Sequence, residues 1–358
     1  MANSALSQLM ADCAVRRSAQ KARMIQATDQ NNNFAETPLL FGRVLDGRGS
    51  GRRIEWDEVG HWEPESDGEV LWVHLCRNKP GVYEWLQDQM DVPEPTAELL
   101  TSDATRPRAF REGNTLVATL RGINFNPGAE PEDMVSMQLW SDGQRLITLR
   151  RDPLQTPRDT LAGIDRGSGP SDAGALITSL TENMIARMNA SIVDMNDHID
   201  LLEASDPEAE AESMLVKIAV IRRNCLGLQR HMGPQHVAFE AISREAPAWF
   251  EDHDRREIAE TIARLRRYLD DIDISKESAV VLMDELRARA VASSDRTNYL
   301  LTIVAAIFLP LGFLTGLLGI NVGGMPGMND ADAFWVVVAL CVTIIAAQIV
   351  FFWKWKWL

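Results

Sequence analysis

The chain has 358 residues, 46% of them hydrophobic and 24% charged, enough to bury the core of two domains and too apolar for disorder to dominate. Its 36 Lys and Arg against 51 Asp and Glu leave a net charge of -15, which repels a phosphate backbone and excludes nucleic acid as an expected partner. Cys13, Cys76, Cys225 and Cys341 lie far apart with no CxxC pair, so neither a disulfide framework nor a thiolate zinc site is expected.

The charge is unevenly spread. From Leu300 onward the charged residues are Asp330, Asp332, Lys354 and Lys356, which cancel, so the whole acidic excess belongs to residues 1–299. The pattern reads as an acidic soluble body joined to a membrane segment.

In chain order, residues 1–34 carry Arg16, Arg17, Lys21 and Arg23 and an Asn31-Asn32-Asn33 run, without an apolar stretch of signal-peptide length. They read as a flexible N-terminal arm and not a targeting signal. Through 38–151 the apolar period is near two, over 39–41, 70–75, 116–120, 134–140 and 146–149, with turn signals at Asp46-Gly47, Glu112-Gly113-Asn114 and Asp142-Gly143. One mostly antiparallel or mixed sheet is expected. Helices are predicted over 82–89 and 94–102, the second with Pro93 and Pro95 at its start, so 35–170 is expected to be an α/β domain.

After Gly167-Ser168-Gly169-Pro170, long helices take over through 171–298, the expected stalk. Leu176, Leu180, Met184, Met188, Ile192, Met195, Ile199 and Leu202 form a helical stripe over 171–204. Pro207 opens a second helix to about residue 232, interrupted at Gly233-Pro234 with a continuation to Arg244 left open. Pro247 opens a third with no Pro or Gly before Pro310. Unbroken over 248–318 it would be about 100 Å long, at about 1.5 Å per residue.

Residues 299–318 and 334–353 are two windows of twenty without a charge, each long enough as a helix to cross a bilayer's hydrocarbon core. Trp335, Trp353, Trp355 and Trp357 sit at their ends, where an aromatic belt would place them. Arg287, Arg289 and Arg296 precede the first span and Lys354 and Lys356 follow the second, in a basic tail over 354–358. The loop over 319–333 has no Lys or Arg. The positive-inside rule therefore predicts cytoplasmic termini, a cytoplasmic acidic body and an external loop.

Two helices enclose no path, so transport would require oligomerisation, most simply as a ring. In the first span Ala305, Gly312 and Gly316 are small, Asn298 and Thr302 are polar, and Pro310 loosens the helix. These features suit either an axis-facing surface or close packing. The second span is rich in Val, Ile and Ala, and Cys341 reads there as a lipid-facing apolar residue.

The first span reads Phe308-Leu309-Pro310-Leu311-Gly312-Phe313-Leu314-Thr315-Gly316-Leu317-Leu318 and leaves through Gly319-Ile320-Asn321. This resembles the CorA superfamily of divalent-cation transporters, whose Pro-containing first span ends in Gly-Met-Asn before a short loop and a second span. The run Gly319-Ile320-Asn321-Val322-Gly323-Gly324-Met325-Pro326-Gly327 is similar to the zinc-transporting ZntB branch. The likeness is close over the last sixty residues and in outline over 38–298. Ile320 stands where Met is usual, and Gly327 where the magnesium branch often has an acidic residue.

The resemblance implies an α/β cytoplasmic domain, a long α-helical stalk and two C-terminal transmembrane helices, assembled as a funnel-shaped homopentamer in a bacterial inner membrane. The first spans would line the pore, and Gly319, Ile320 and Asn321 would form its outer mouth. Asn321 can hold the water shell of a cation or merely cap the helix, and the resemblance favours the pore role. Asp284, Val291, Asp295, Asn298, Thr302, Leu309 and Gly312 recur at helical spacings and can share one face. Repeated around an axis, Asp284 and Asp295 would attract cations, Asn298 and Thr302 would form polar collars, and Leu309 a constriction. Asp284 and Asp295 can equally be solvated or paired with Arg287 or Arg296.

The resemblance implies zinc as the transported ion, with cadmium, nickel and cobalt as companions, and uptake slightly favoured over efflux. Proton coupling stays open, since neither span holds a carboxylate or histidine to relay protons. His61, His74, His198, His231, His236 and His253 form no ligand set in the sequence, so metal ligands cannot be named. No resident cofactor is expected, and a regulatory divalent metal between subunits stays open. The alternatives are a magnesium or cobalt channel of the same superfamily, and a membrane-anchored coiled-coil scaffold or sensor without transport. No Walker A, GxSxG, HExxH or dinucleotide motif is present, so an enzyme is not expected.

Overall fold

The computed structural model describes residues 37–66, 68–130, 132–204, 211–319 and 332–354; the expected N-terminal arm and the end of the basic tail lie outside them. Strands β1 (Leu39–Leu45) and β2 (Gly51–Arg53) are followed by α1 (Trp56–Val59), β3 (Val70–Cys76), α2 (Val82–Asp88) and α3 (Glu94–Thr101). Then come β4 (Arg108–Glu112), β5 (Thr115–Gly122), β6 (Val135–Ser141), β7 (Arg145–Arg150) and α4 (Gln155–Asp165). The long helices are α5 (Ala173–Glu203), α6 (Ala211–Glu245), α7 (Asp252–Leu318) and α8 (Ala333–Lys354). The chain forms two units, 1–283 and 284–358, with the division inside α7.

In the first unit the seven strands make one mixed sheet in the order β2-β1-β3-β7-β6-β5-β4. β3 and β7 pair in parallel, with Val73 beside Ile147, and the other neighbours are antiparallel. Central strand β3 is buried along nearly its whole length, as a strand covered on both faces must be. On one face Leu71, Val73, Leu75, Ile147 and Leu149 pack with Leu86 of α2 and Leu100 of α3. On the other, Trp72 donates from Nε1 to Thr148 Oγ1 at 3.0 Å, and Nδ1 of His74 lies 2.8 Å from the same oxygen. Burial holds the His74 imidazole well below its ordinary pKa, so it sits in the core as a neutral ring.

The helical part answers to the apolar stripe. Leu176, Leu180, Met184 and Met188 of α5 are buried, and Asp172 caps the helix by accepting from the Ala175 amide at 2.8 Å. Within the first unit α7 buries Ile258, Leu265, Ile272 and Ala279. Polar ties flank that stripe: Thr178 donates to Glu257 at 3.1 Å, Arg264 meets Glu182 at 3.3 Å, and Gln229 donates to Asp273 at 2.9 Å.

Three differences from the sequence reading have physical causes. The expected break at Gly233-Pro234 does not occur, because α6 runs through Pro234 with Met232, Phe239 and Ile242 buried around it, and packing outweighs the proline's cost. The short β2 and β4 escape the period-two pattern because both lie at sheet edges and are half exposed. α4 lies outside the predicted helices because its buried face is Thr156, Pro157, Thr160 and Ile164, half of it threonine and so not an apolar stripe.

Candidate functional site

The second unit contains the end of α7 and all of α8 within the described residues. Each holds a window long and apolar enough to cross a membrane, and neither window is buried inside the chain. That removes the reading of either as the core helix of a soluble protein, for which the window would be covered.

The two helices meet along complementary seams. On α7, Ile303 is buried and Ala306, Ile307, Leu311 and Leu314 are half-buried; on α8, Cys341, Ile344, Gln348 and Phe352 recur three, four and four apart, the first three half-buried and Phe352 buried. Cys341 is half-buried, and its spacing to Gln348 and Phe352 puts it on their face of α8. Gln348 Nε2 donates to the backbone carbonyl of Ala306 at 3.0 Å and ties the seams together. At the aqueous ends, Trp335 and Trp353 are exposed, as amphipathic interface residues would be.

α7 is continuous through the residues read as one face. With about 100° per residue, Asp284, Val291, Asp295, Asn298, Thr302, Leu309 and Gly312 fall within an arc about 100° wide, turned away from the Ile303 seam. All seven are exposed in the single chain, Val291 and Leu309 at 60% and 70%. A Cβ added at Gly312 or Gly316 would meet no atom within 4 Å, so packing inside this chain does not demand those glycines. Thr302 donates its hydroxyl to the Asn298 carbonyl one turn back at 2.8 Å, leaving its lone pairs on the exposed face.

The electrostatics along this face differ from place to place. Asp284 lies 3.7 Å from Arg287, both well exposed, an ion pair of little energetic weight. Asp295, three turns closer to the apolar span, forms no ion pair among the described residues. It sits one turn before Asn298 and two before Thr302, so a carboxylate, an amide and a hydroxyl follow one another toward the apolar turn at Leu309. Gly319 ends α7 with its amide bonded to Thr315 O at 2.9 Å, without the left-handed turn its glycine would permit. Ile320 and Asn321 lie outside the described residues.

Among the described residues no group of three or more His, Cys, Asp and Glu is placed to hold a metal. His231 stands beside Arg121, its ring nitrogens 3.1 and 3.0 Å from Nη1, and His253 Nε2 is 3.1 Å from Asp254 Oδ1. The residue that pattern reading passes over is Gln348. Its signal was available: it is the one carboxamide in a span whose other hydrogen-bonding side chains are Thr343 and the terminal tryptophans, and Pro310 on the other span frees a carbonyl.

A helix that leads a carboxylate, an amide and a hydroxyl along one open face into an apolar span is suited to conducting cations, the work of a two-span membrane transporter. The chain belongs to the CorA-like Mg2+ transporter protein family, whose family model matches residues 67–354. It is similar to the divalent cation transporter CmaX of Pseudomonas aeruginosa, 36% identical over 327 residues that span 90% of this chain and 98% of that one. The zinc transport protein ZntB of Yersinia pseudotuberculosis is 31% identical over 324 residues, spanning 89% of this chain and 96% of that protein. The solved structure of full-length CmaX matches with a TM-score of 0.79 at 34% identity, covering 91% of this chain and 100% of that chain.

Proposed function

We propose that the protein carries divalent cations across the bacterial inner membrane, zinc foremost, through a homopentameric pore lined by the open face of α7. The observation that carries this reading is the direction of that face: α8 covers the Ile303 seam, while Asp295, Asn298, Thr302 and Leu309 remain uncovered by their own chain. An exposed apolar and polar stripe of this length on a spanning helix needs partners, and copies of the same helix around an axis supply them without an unpaired polar group facing lipid. Asp295 would concentrate cations at the cytoplasmic end, Asn298 and Thr302 would meet the hydrated ion, and Leu309 would narrow the path. Gly319, Ile320 and Asn321 would form the outer mouth, Asn321 holding the ion's water shell through its carboxamide.

Zinc is favoured over magnesium by the likeness to ZntB and by Ile320 in place of Met. Both termini are assigned to the cytoplasm by the arginines before the first span and the lysines after the second. No enzymatic activity is assigned.

The test is flux into liposomes holding the purified protein and a zinc-sensitive dye, with and without a pH gradient, beside Asn321→Ala. Zinc entry abolished by the substitution is the expected result, and acceleration by the gradient would establish proton coupling. Magnesium flux without zinc flux would move the protein to the magnesium channels. Absence of both from a folded oligomer would leave a membrane-anchored scaffold.

A further inference from the structure

We infer that Gln348 is a positioning residue for the ion-lining helix, its side-chain amide standing in for the backbone N–H that Pro310 lacks. In a continuous α-helix the amide of residue 310 would donate to the carbonyl of Ala306, four residues back. Proline has no such hydrogen, so α7 carries an unmet carbonyl inside its apolar window. Hydrocarbon offers no water to satisfy it, and a spanning proline is tolerated only where something else does. Gln348 Nε2, reaching across from α8, donates to that same Ala306 oxygen at 3.0 Å.

A second observation separates this from general polar adhesion between spans. The Oε1 of Gln348 is buried with no hydrogen-bond partner among the described residues. An apolar side chain at 348 would avoid the cost of that unmet acceptor, and the donor facing the Ala306 carbonyl is what a glutamine supplies in exchange. The turn from Ala306 to Pro310 contains Leu309, the expected constriction. Holding the carbonyl at its start fixes how far α7 bends at the proline, and therefore where the Leu309 side chain stands. Gln348 touches no ion; it acts through α7.

The inference rests on the transport reading for its consequence, but not for its geometry, so the experiment has two readouts. The proteins are full-length wild type, Gln348→Met, Pro310→Ala and the double variant, each purified as an oligomer in lipid nanodiscs or liposomes. Pro310→Ala restores an amide at position 310, which satisfies Ala306 within α7 and makes Gln348 redundant. Hydrogen exchange of the α7 segment around Ala306 is expected to quicken about fivefold in Gln348→Met when Pro310 is present, and to be unaffected by Gln348→Met in the Pro310→Ala background. Zinc flux is expected to follow the same non-additive pattern, changing several-fold with the first substitution and not further with the second.

Equal effects of Gln348→Met in both backgrounds would overturn the inference, as would exchange that does not respond to it. Coupled exchange with unchanged flux would leave Gln348 a structural tie and overturn its positioning role. Coupled exchange in a protein that transports no cation would sink the transport reading while leaving the clasp standing. Should Gln348→Met fail to assemble, recovery of the oligomer by adding Pro310→Ala supports the clasp, and failure in both backgrounds overturns it.

Discussion

Gln235 of α6 holds both backbone groups of Arg121 on β5: its Oε1 accepts from the Arg121 amide at 2.6 Å and its Nε2 donates to the Arg121 carbonyl at 2.8 Å. The side chain is fully buried, and Arg121 itself reaches out to donate from Nε to the Thr105 carbonyl at 3.0 Å. One amide thus docks a helix onto a strand through two hydrogen bonds of defined spacing, immediately after the proline that should have ended that helix.

Replacing Gln235 with Leu keeps the volume and strands two partly buried backbone groups. The cost is about 2–4 kcal/mol, in the lower part of the range of about 1–3 kcal/mol for each fully buried unmet group, because both bonds are only partly buried. A lowered unfolding midpoint of the full-length protein in detergent checks it, and Gln235→Glu should recover little, because it keeps the acceptor and loses the donor.

His231 makes the same junction sensitive to acid. Burial, together with the Arg121 and Arg230 charges, lowers its imidazole to about 4. The unfolded chain takes up the proton near 6.5 and the folded one does not, so stability falls as the pH drops from about 6.5 toward 4. A His231→Gln variant should lose less on going from pH 7 to pH 5 than wild type, by about 2 kcal/mol at the acid end. Paired unfolding curves at the two pH values measure the difference, and parallel curves would remove His231 as the cause.

Asp254 acts in the opposite sense. Its side chain is fully buried near the start of α7, its Oδ2 accepting from the Glu251 amide at 2.9 Å, and burial raises its carboxyl to about 6, with Asp172 adding to the effect. Folding therefore favours the protonated form, and stability is lost as pH rises from about 3.8 through 6. Asp254→Asn should raise the unfolding midpoint at pH 7.5, by about 2 kcal/mol in stability, with the gain fading as the pH falls from about 6 toward 3.8. A gain that persists unchanged at pH 4 would assign the effect to something other than ionisation.

Asp295→Asn should slow zinc entry several-fold in dilute buffer. The gap from wild type should narrow as salt rises toward 1 M, where the screening length falls to about 3 Å. Asp284→Asn should do less, since Arg287 at 3.7 Å already offsets its charge. Flux measured across an ionic-strength series checks both, and equal sensitivity of the two variants would contradict the assignment.

The sequence by itself determined the large divisions of this protein, because they rest on periodicity and length, which are local. The Leu176 to Leu202 stripe, the two uncharged windows and the shared face of Asp284, Asp295, Asn298 and Thr302 need only the helical repeat to be read. The strands of the central sheet were legible for the same reason, while edge strands β2 and β4, half exposed, lacked the pattern.

Only the tertiary structure decided what depends on residues far apart in the chain. Nothing local tells that β3 pairs in parallel with β7, that Pro234 is carried inside a helix held by Gln235 on Arg121, or that Cys341 is half-buried on the Gln348 face of α8. Gln348 and Pro310 are each ordinary in their own segment. Their relation exists because a missing hydrogen at one position leaves a carbonyl four residues earlier, and a second helix happens to bring an amide within 3.0 Å of it. Hydrogen bonds of this kind are set by where packed helices place their side chains, and that is information a single stretch of sequence does not hold.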